Sequence, residues 1–114
     1  MLPMNNPKFQ IFRGGNEEIY FRLTAANGEP ILASEGYTTE AACLNGIESV
    51  KSNAPFLERY EQKEAANGQF YFLLKATNGQ VIGNSEMYTT KAAMQNGIES
   101  VMRNAPIAPI ENLT

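Results

Sequence analysis

Two short polar clusters are the first residues in this chain that could do chemistry: Ser34-Glu35 with Tyr37 two positions on, and Ser85-Glu86 with Tyr88. Two carboxylates about 5 to 10 Å apart in one cleft form the acid, base or nucleophile pair of a glycoside hydrolase. Glu35 and Glu86 could form such a pair if the fold brought them together, and an enzyme using them with the tyrosines is one reading. The structural reading is stronger. A carboxylate near a helix N-terminus gains about 0.3–1 kcal/mol from the unpaired N–H groups, and a tyrosine can cover a strand-to-helix junction with its hydroxyl in water.

A second candidate is a face rather than a cluster. Tyr20 and Arg22 in the first half, with Tyr71, Leu73 and Lys75 in the second, mix aromatic and cationic groups that could stack bases or meet a protein. Aromatics on an uncovered sheet face are common without any ligand, so Tyr20, Arg22, Tyr71 and Lys75 are taken as a candidate binding face only. Cys43, the one cysteine, stands where Met94 stands in the second half, which fits apolar packing better than a nucleophile. Lys91 falls near a predicted helix start where the first half has Glu40, and no function is read into it.

The inventory removes most other chemistry. The 114 residues contain no histidine, tryptophan or aspartate, so zinc sites, histidine bases and the usual catalytic triads cannot be assembled. No catalytic, cofactor-binding or metal-binding residue is assigned, and no cofactor is expected. With 9 Lys and Arg against 12 Glu the net charge is -3, which argues against nucleic acid or anionic membranes as partners. Weak single-stranded nucleic-acid binding stays as an alternative to a non-enzymatic protein-interaction or small-molecule-binding module. Residues 1–7 (MLPMNNP) lack the basic region and apolar stretch of a signal peptide, and a single thiol forms no internal disulfide; a cytoplasmic address is expected. A hydrophobic fraction of 43% suffices to bury a core, and the length fits one domain, 1–114.

The elements that must position these residues come from an internal repeat. Shifting the sequence by 51 positions aligns Tyr20–Pro55 with Tyr71–Pro106 without gaps, and 23 of the 36 pairs are identical. Repeats 9–55 and 60–106 follow, with 107–114 as a C-terminal tail. A unit of about 50 residues without disulfide or metal buries too little surface to be stable alone, so the copies should share a core as a closed pseudo-twofold pair. A monomer that is internally pseudo-dimeric is expected.

Ile19, Phe21 and Leu23 alternate with Tyr20, Arg22 and Thr24, as Phe70, Phe72 and Leu74 alternate with Tyr71, Leu73 and Lys75, which predicts strands buried on one face. Asn27-Gly28 and Asn78-Gly79 predict two-residue type I′ hairpin turns, returning into strands near Pro30–Ser34 and Val81–Ser85. Asn67-Gly68 marks an earlier turn after a strand near Tyr60–Lys63, and Gly14-Gly15-Asn16 takes its place in the first copy. Cys43, Gly46, Ile47 and Val50, with Met94, Gly97, Ile98 and Val101, are spaced for a helix; Thr38 or Thr39 and Thr89 or Thr90 would cap its start, and Asn53 and Asn104 mark its end, with Pro55 and Pro106 beyond. A mid-helix glycine costs about 1 kcal/mol relative to Ala, so Gly46 and Gly97 imply either close approach of helix to sheet or a break into two short helices.

The stretch from Asn67 to Ala93, NGQFYFLLKATNGQVIGNSEMYTTKAA, resembles the repeat of the YegP-like family of small bacterial proteins, and the likeness covers both units, about Phe9 to Pro106. The first copy departs from the pattern where Glu17 replaces a turn glycine, Thr24 a lysine and Pro30 an apolar residue. The resemblance implies an α+β fold of two tandem β-β-β-α repeats in one mainly antiparallel sheet, with two helices packed on one face. It also implies a strand after each helix exchanged between the halves, Phe56 to Lys63 serving both. Its C-terminal counterpart would be Ile107 to Ile110, where Pro109 argues against a regular strand. The resemblance brings no assigned activity and no catalytic residue.

Overall fold

Apolar and polar alternation and helical spacing lay the same elements down twice. Strands β1 (Lys8–Arg13), β2 (Ile19–Thr24) and β3 (Pro30–Ala33) precede helix α1 (Glu40–Asn53); β4 (Tyr60–Glu64), β5 (Phe70–Lys75) and β6 (Val81–Asn84) precede α2 (Lys91–Asn104), and β7 (Ile110–Asn112) follows. This computed structural model describes residues 6–114; residues 1–5, part of the segment read for a signal peptide, lie outside the described residues. The seven strands form one sheet in the order β4-β5-β6-β3-β2-β1-β7, antiparallel throughout except for β1 with β7. The repeats meet at β3 and β6, with Ala33 opposite Asn84. Helix α1 packs on β2 and also on β5 and β6 of the other repeat, while α2 packs on β5 and β3. One continuous interior results, with Phe9, Ile11, Phe21, Leu23, Leu32, Ile47 and Val50 from the first repeat against Phe72, Leu74, Met94, Ile98 and Val101 from the second.

The pseudo-dyad is not symmetric at its centre. Leu32 and Gly83 are equivalent by the 51-residue shift, and a Cβ built on Gly83 would lie 2.8 Å from Cγ of Leu32. One leucine therefore fills the space that two could not share. Ile31 and Ile82 are the extra residues at matching bulges in the β2–β3 and β5–β6 pairings.

The Asn-Gly turns are hairpins but not of the expected type. Gly28 has φ +86° and its N–H donates to the carbonyl of Ala25, while the Ala25 N–H donates to the carbonyl of Glu29, which makes a three-residue loop with only one left-handed residue. A type I′ turn would need positive φ at Asn27 as well. The asparagine does another job: its Oδ1 accepts from the Glu29 N–H at 3.0 Å. The same closure recurs at Gly68 and Gly79, and at Glu17, which takes φ +68° where the other three loops have glycine. Glu17 thus holds the left-handed position at a cost of about 1 kcal/mol that glycine would not incur.

Both helices run unbroken through their glycines. A Cβ on Gly46 would lie 2.8 Å from Cζ of Tyr37, and one on Gly97 2.7 Å from Cζ of Tyr88, with each hydroxyl oxygen closer still. The close approach is therefore made by a tyrosine ring wedged between sheet and helix. Thr39 and Thr90 cap the helix starts, accepting from the N–H groups of Ala42 and Ala93 at 3.1 and 3.0 Å. At the ends, Asn53 and Asn104 donate through Nδ2 to the carbonyls of Ser49 and Ser100, both at 2.8 Å.

The implied strand exchange occurs on one side only. β7 runs parallel to β1, with Phe9 opposite Ile110 and Ile11 opposite Asn112; the Phe9 N–H donates to the Pro109 carbonyl and the Leu113 N–H to the Ile11 carbonyl, each at 2.7 Å. Pro109 does not prevent the strand, because the ladder needs only its carbonyl and β7 begins one residue later. Residues 107–114, expected as a tail, thus carry β7. β4 pairs with β5 of its own repeat and with no other strand among the described residues, so the segment from Phe56 to Lys63 does not serve both halves.

Candidate binding face

The strand-to-helix junctions explain their serines structurally. Ser34 Oγ accepts from the Phe21 N–H at 2.9 Å and donates to the Glu35 carbonyl at 2.8 Å; Ser85 makes the same two bonds, from Phe72 and to Glu86. Each hydroxyl carries the ladder past the end of β3 or β6. Tyr37 and Tyr88 bridge back to Ile19 and Phe70, and their rings stack on Phe21 and Phe72 at centroid distances of 6.2 and 6.4 Å. Burial raises both phenol pKa values, and for Tyr37 the neighbouring Cys43 and Glu35 add to the shift, as Glu86 does for Tyr88. These tyrosines are packing groups that stay protonated at neutral pH.

Glu35 and Glu86 are not brought together. β3 and β6 run antiparallel with Ala33 opposite Asn84, so the chain carries Glu35 towards the Ile82 end and Glu86 towards the Ile31 end. The two positions are offset by about four residues, or about 13 Å of extended chain. Glu35 lines a cavity of about 340 Å³ with Gly36, Tyr37, Gln80, Val81 and Ile82, whereas Glu86 lines a different one. Cys43 is fully buried, and burial, with Glu40 adding, pushes its thiol pKa up to about 11. That is a packed thiol rather than a nucleophile.

The sheet face turned away from the helices is more structured than its residue types alone suggest. Phe12, missed by the sequence reading, lies between the two predicted site residues of the first repeat: its ring stacks on Tyr20 at 5.8 Å, and the Arg22 guanidinium sits 4.7 Å from its centroid. Arg22 Nε donates to Gln10 Oε1 at 2.7 Å, Gln10 Nε2 donates to Glu111 at 2.8 Å, and Lys8 pairs with Glu111 at 3.2 Å. Hydrogen bonds from Gln10 and then Lys8 hold the Glu111 carboxyl below the usual range. At the other end Asn16 Nδ2 donates to the Tyr20 hydroxyl at 2.9 Å. The only sequence signal for Phe12 was its alternation with Ile11, which places the ring outward.

The second repeat has no such relay among the described residues. Tyr71 lies across from Lys63, and Lys75 pairs with Glu61 at 2.8 Å, a bond that lowers the Glu61 pKa. The structure therefore joins Tyr20 and Arg22 through Phe12 and leaves Tyr71 and Lys75 apart on β5, separated from β2 by β3 and β6. Where the repeats join, a groove of about 280 Å³ opens beside Arg22, lined by Phe12, Pro30, Leu32 and Ala33 from one repeat and Asn84, Ser85 and Glu86 from the other. It offers a guanidinium, an amide and a carboxylate around an apolar floor. No cluster of three or more Cys or Glu that could hold a metal occurs among the described residues.

The comparisons with known proteins agree with this architecture. The family described as a domain of unknown function, DUF1508, matches twice, at residues 15–61 and 65–112. A UPF0339 protein from the ptx operon 5′ region of Stutzerimonas stutzeri is 50% identical over 102 residues, 90% of this chain and 92% of the relative. The UPF0339 protein YegP of Escherichia coli K12 is 45% identical over 106 residues, 93% of this chain and 96% of the relative. Among solved structures, the solution structure of the E. coli protein of unknown function yegP superposes with TM-score 0.91 at 43% identity, covering 98% of this chain and 97% of its own. That of a UPF0339 protein of Shewanella oneidensis gives 0.89 at 46%, covering 94% and 91%. With two family matches spanning both repeats and relatives this close over nearly the whole length, the chain belongs to the DUF1508 family.

Proposed function

We propose that the chain is a non-enzymatic interaction module that binds a protein partner on its open sheet face. The observation that supports this most is the groove at the join of the repeats, where the braced Phe12–Arg22 pair faces Asn84 and Glu86. An arginine fixed on an aromatic ring and backed by Gln10 loses little conformational freedom on binding, which favours a contact residue. The separation of Glu35 from Glu86 and the packing of Tyr37 and Tyr88 on Phe21 and Phe72 speak against catalysis by those four groups. Nucleic acid is the weaker alternative, because Lys8 and Lys75 on this face are neutralised by Glu111 and Glu61 rather than offered to phosphates. A buried free thiol fits a reducing, cytoplasmic setting.

The test is retention of cell proteins on immobilised protein, wild type against Arg22→Glu and Tyr20→Ala. A discrete set retained by the wild type and lost with Arg22→Glu supports the reading. Identical retention by all three would remove it.

A further inference from the structure

The two outer edges of the sheet are equivalent by the repeat, but only one is covered. β7 lies along β1 and puts Ile110 on the helix side beside Phe9, where it packs against the core. On this side of the core Ile11, Ile47 and Ala108 are all 0% exposed. Their counterparts 51 positions away are Gln62, Ile98 and Leu57, and these line an open groove of about 370 Å³ between β4 and α2, together with Gln95, Glu99 and Met102. Leu57 is 57% exposed there.

The backbone of β4 is ready for a neighbour. Phe72 turns its N–H and C=O towards β6, where they meet Ser85, so the opposed residue Gln62 turns its own pair outward. Ile11, the counterpart of Gln62, uses its outward carbonyl to accept from Leu113. The charge at the far end of the strand site is reversed between the repeats. Glu40 at the start of α1 accepts from Asn112 and Thr114 beyond β7, whereas the matching residue at the start of α2 is the exposed Lys91.

We infer that β4 accepts an extended segment of a protein partner as a parallel strand, as β1 accepts β7. A branched apolar side chain enters the groove between Leu57, Ile98 and Met102, and an acidic side chain two positions on reaches Lys91. This edge is separate from the outer-face groove, so either site can fail without the other.

The probe is a synthetic nonapeptide of residues 106–114 with Glu111→Lys, to face Glu61, and Asn112→Asp, to face Lys91, titrated into the intact protein by NMR. β7 of the intact chain already occupies β1, so amide shifts are expected at 57–64 and 91–102 and not along β1. The unmodified peptide should bind at least several-fold more weakly, and the exposed-site variant Lys91→Glu should shrink that preference, because only the contact of the peptide's Asp with residue 91 is lost. Leu57→Glu and Gln62→Pro, both at exposed positions, should each abolish the shifts while leaving the rest of the spectrum in place. No shift at millimolar peptide, or shifts confined to β1 through displacement of β7, would overturn the inference.

Discussion

The first repeat keeps Leu32 at the pseudo-dyad, Glu17 in a left-handed turn, Phe9 beside β7 and Glu40 tied to the C-terminal strand; the second has Gly83, Gly68, Tyr60 and Lys91 in those places. Two equal halves would have had to repeat every residue on both sides of the join. A side chain at the axis would then meet its own copy, and each helix start would carry the same charge. Duplication within one chain removes that constraint. One side can supply a leucine and the other the space for it, one edge can be covered and the other left open, while Phe21, Tyr37 and Gly46 keep their partners Phe72, Tyr88 and Gly97 in the same arrangement. Tyr60, with no outer strand beside it among the described residues, instead donates its hydroxyl to the Ala54 carbonyl at 2.7 Å, and burial raises its pKa.

Exchanging either residue at the axis alone should cost the most stability. Leu32→Gly removes a leucine that is 2% exposed and should cost about 2–5 kcal/mol, while Gly83→Leu forces a second side chain against the first and should cost about 1–3 kcal/mol. The double exchange moves the leucine to the other side of the dyad and should recover at least half of the summed loss in urea denaturation. Strictly additive losses would show that the two positions do not share one space.

The helix glycines test what the repeats hold in common. Gly46→Ala and Gly97→Ala each gain about 1 kcal/mol of helix propensity but press a Cβ into a packed tyrosine ring, for a net loss of about 1–2 kcal/mol that should be the same in both repeats within 0.5 kcal/mol or so. Thermal melts that separate the two variants widely would contradict an equivalent wedge. Smaller still is the turn. Glu17→Gly should stabilise the protein by about 1 kcal/mol, and Gly68→Glu, which copies the first repeat into the second, should destabilise it by a similar amount.

Acid should separate the two edges with the least effect on global stability. The Glu111 pKa is lowered in the folded protein by Gln10 and Lys8, so its contribution is fully present above the ordinary carboxylate value of 4.5 and is lost as pH falls through the lowered folded value. Hydrogen exchange at the Phe9 and Leu113 amides, which bind across β1 and β7, should accelerate there beyond the intrinsic pH trend. Amides between β4 and β5 should change less, since the Glu61–Lys75 pair lies over a ladder with five paired positions.

Much of this architecture was legible in the residues. The 51-residue shift, the switch from alternation to helical spacing, the threonine caps and the buried Cys43 all follow from patterns that local sterics and burial enforce. The misses have physical causes. Asn-Gly signals a tight turn, but closing the loop one residue earlier at Ala25 lets Gly28 alone take positive φ, and the sequence does not distinguish the two closures. β7 is three residues long and parallel, too short to show alternation, and its register comes from β1 rather than from its own residues. Leu32 and Gly83 gain meaning only once the dyad is known. On the open face the residue types of Tyr20 and Arg22 were visible, whereas their union through Phe12 depended on the β1–β2 register.

Neither repeat closes an interior by itself, since each helix packs on strands of both. Cleaving the chain between Pro55 and Phe56 and following the two fragments by near-ultraviolet circular dichroism and thermal melting tests it directly. Each fragment alone should show no cooperative transition as a monomer, and an equimolar mixture should regain both the tertiary signal and a single melt. A fragment that melts cooperatively as an isolated monomer would show that one repeat closes a core without the other.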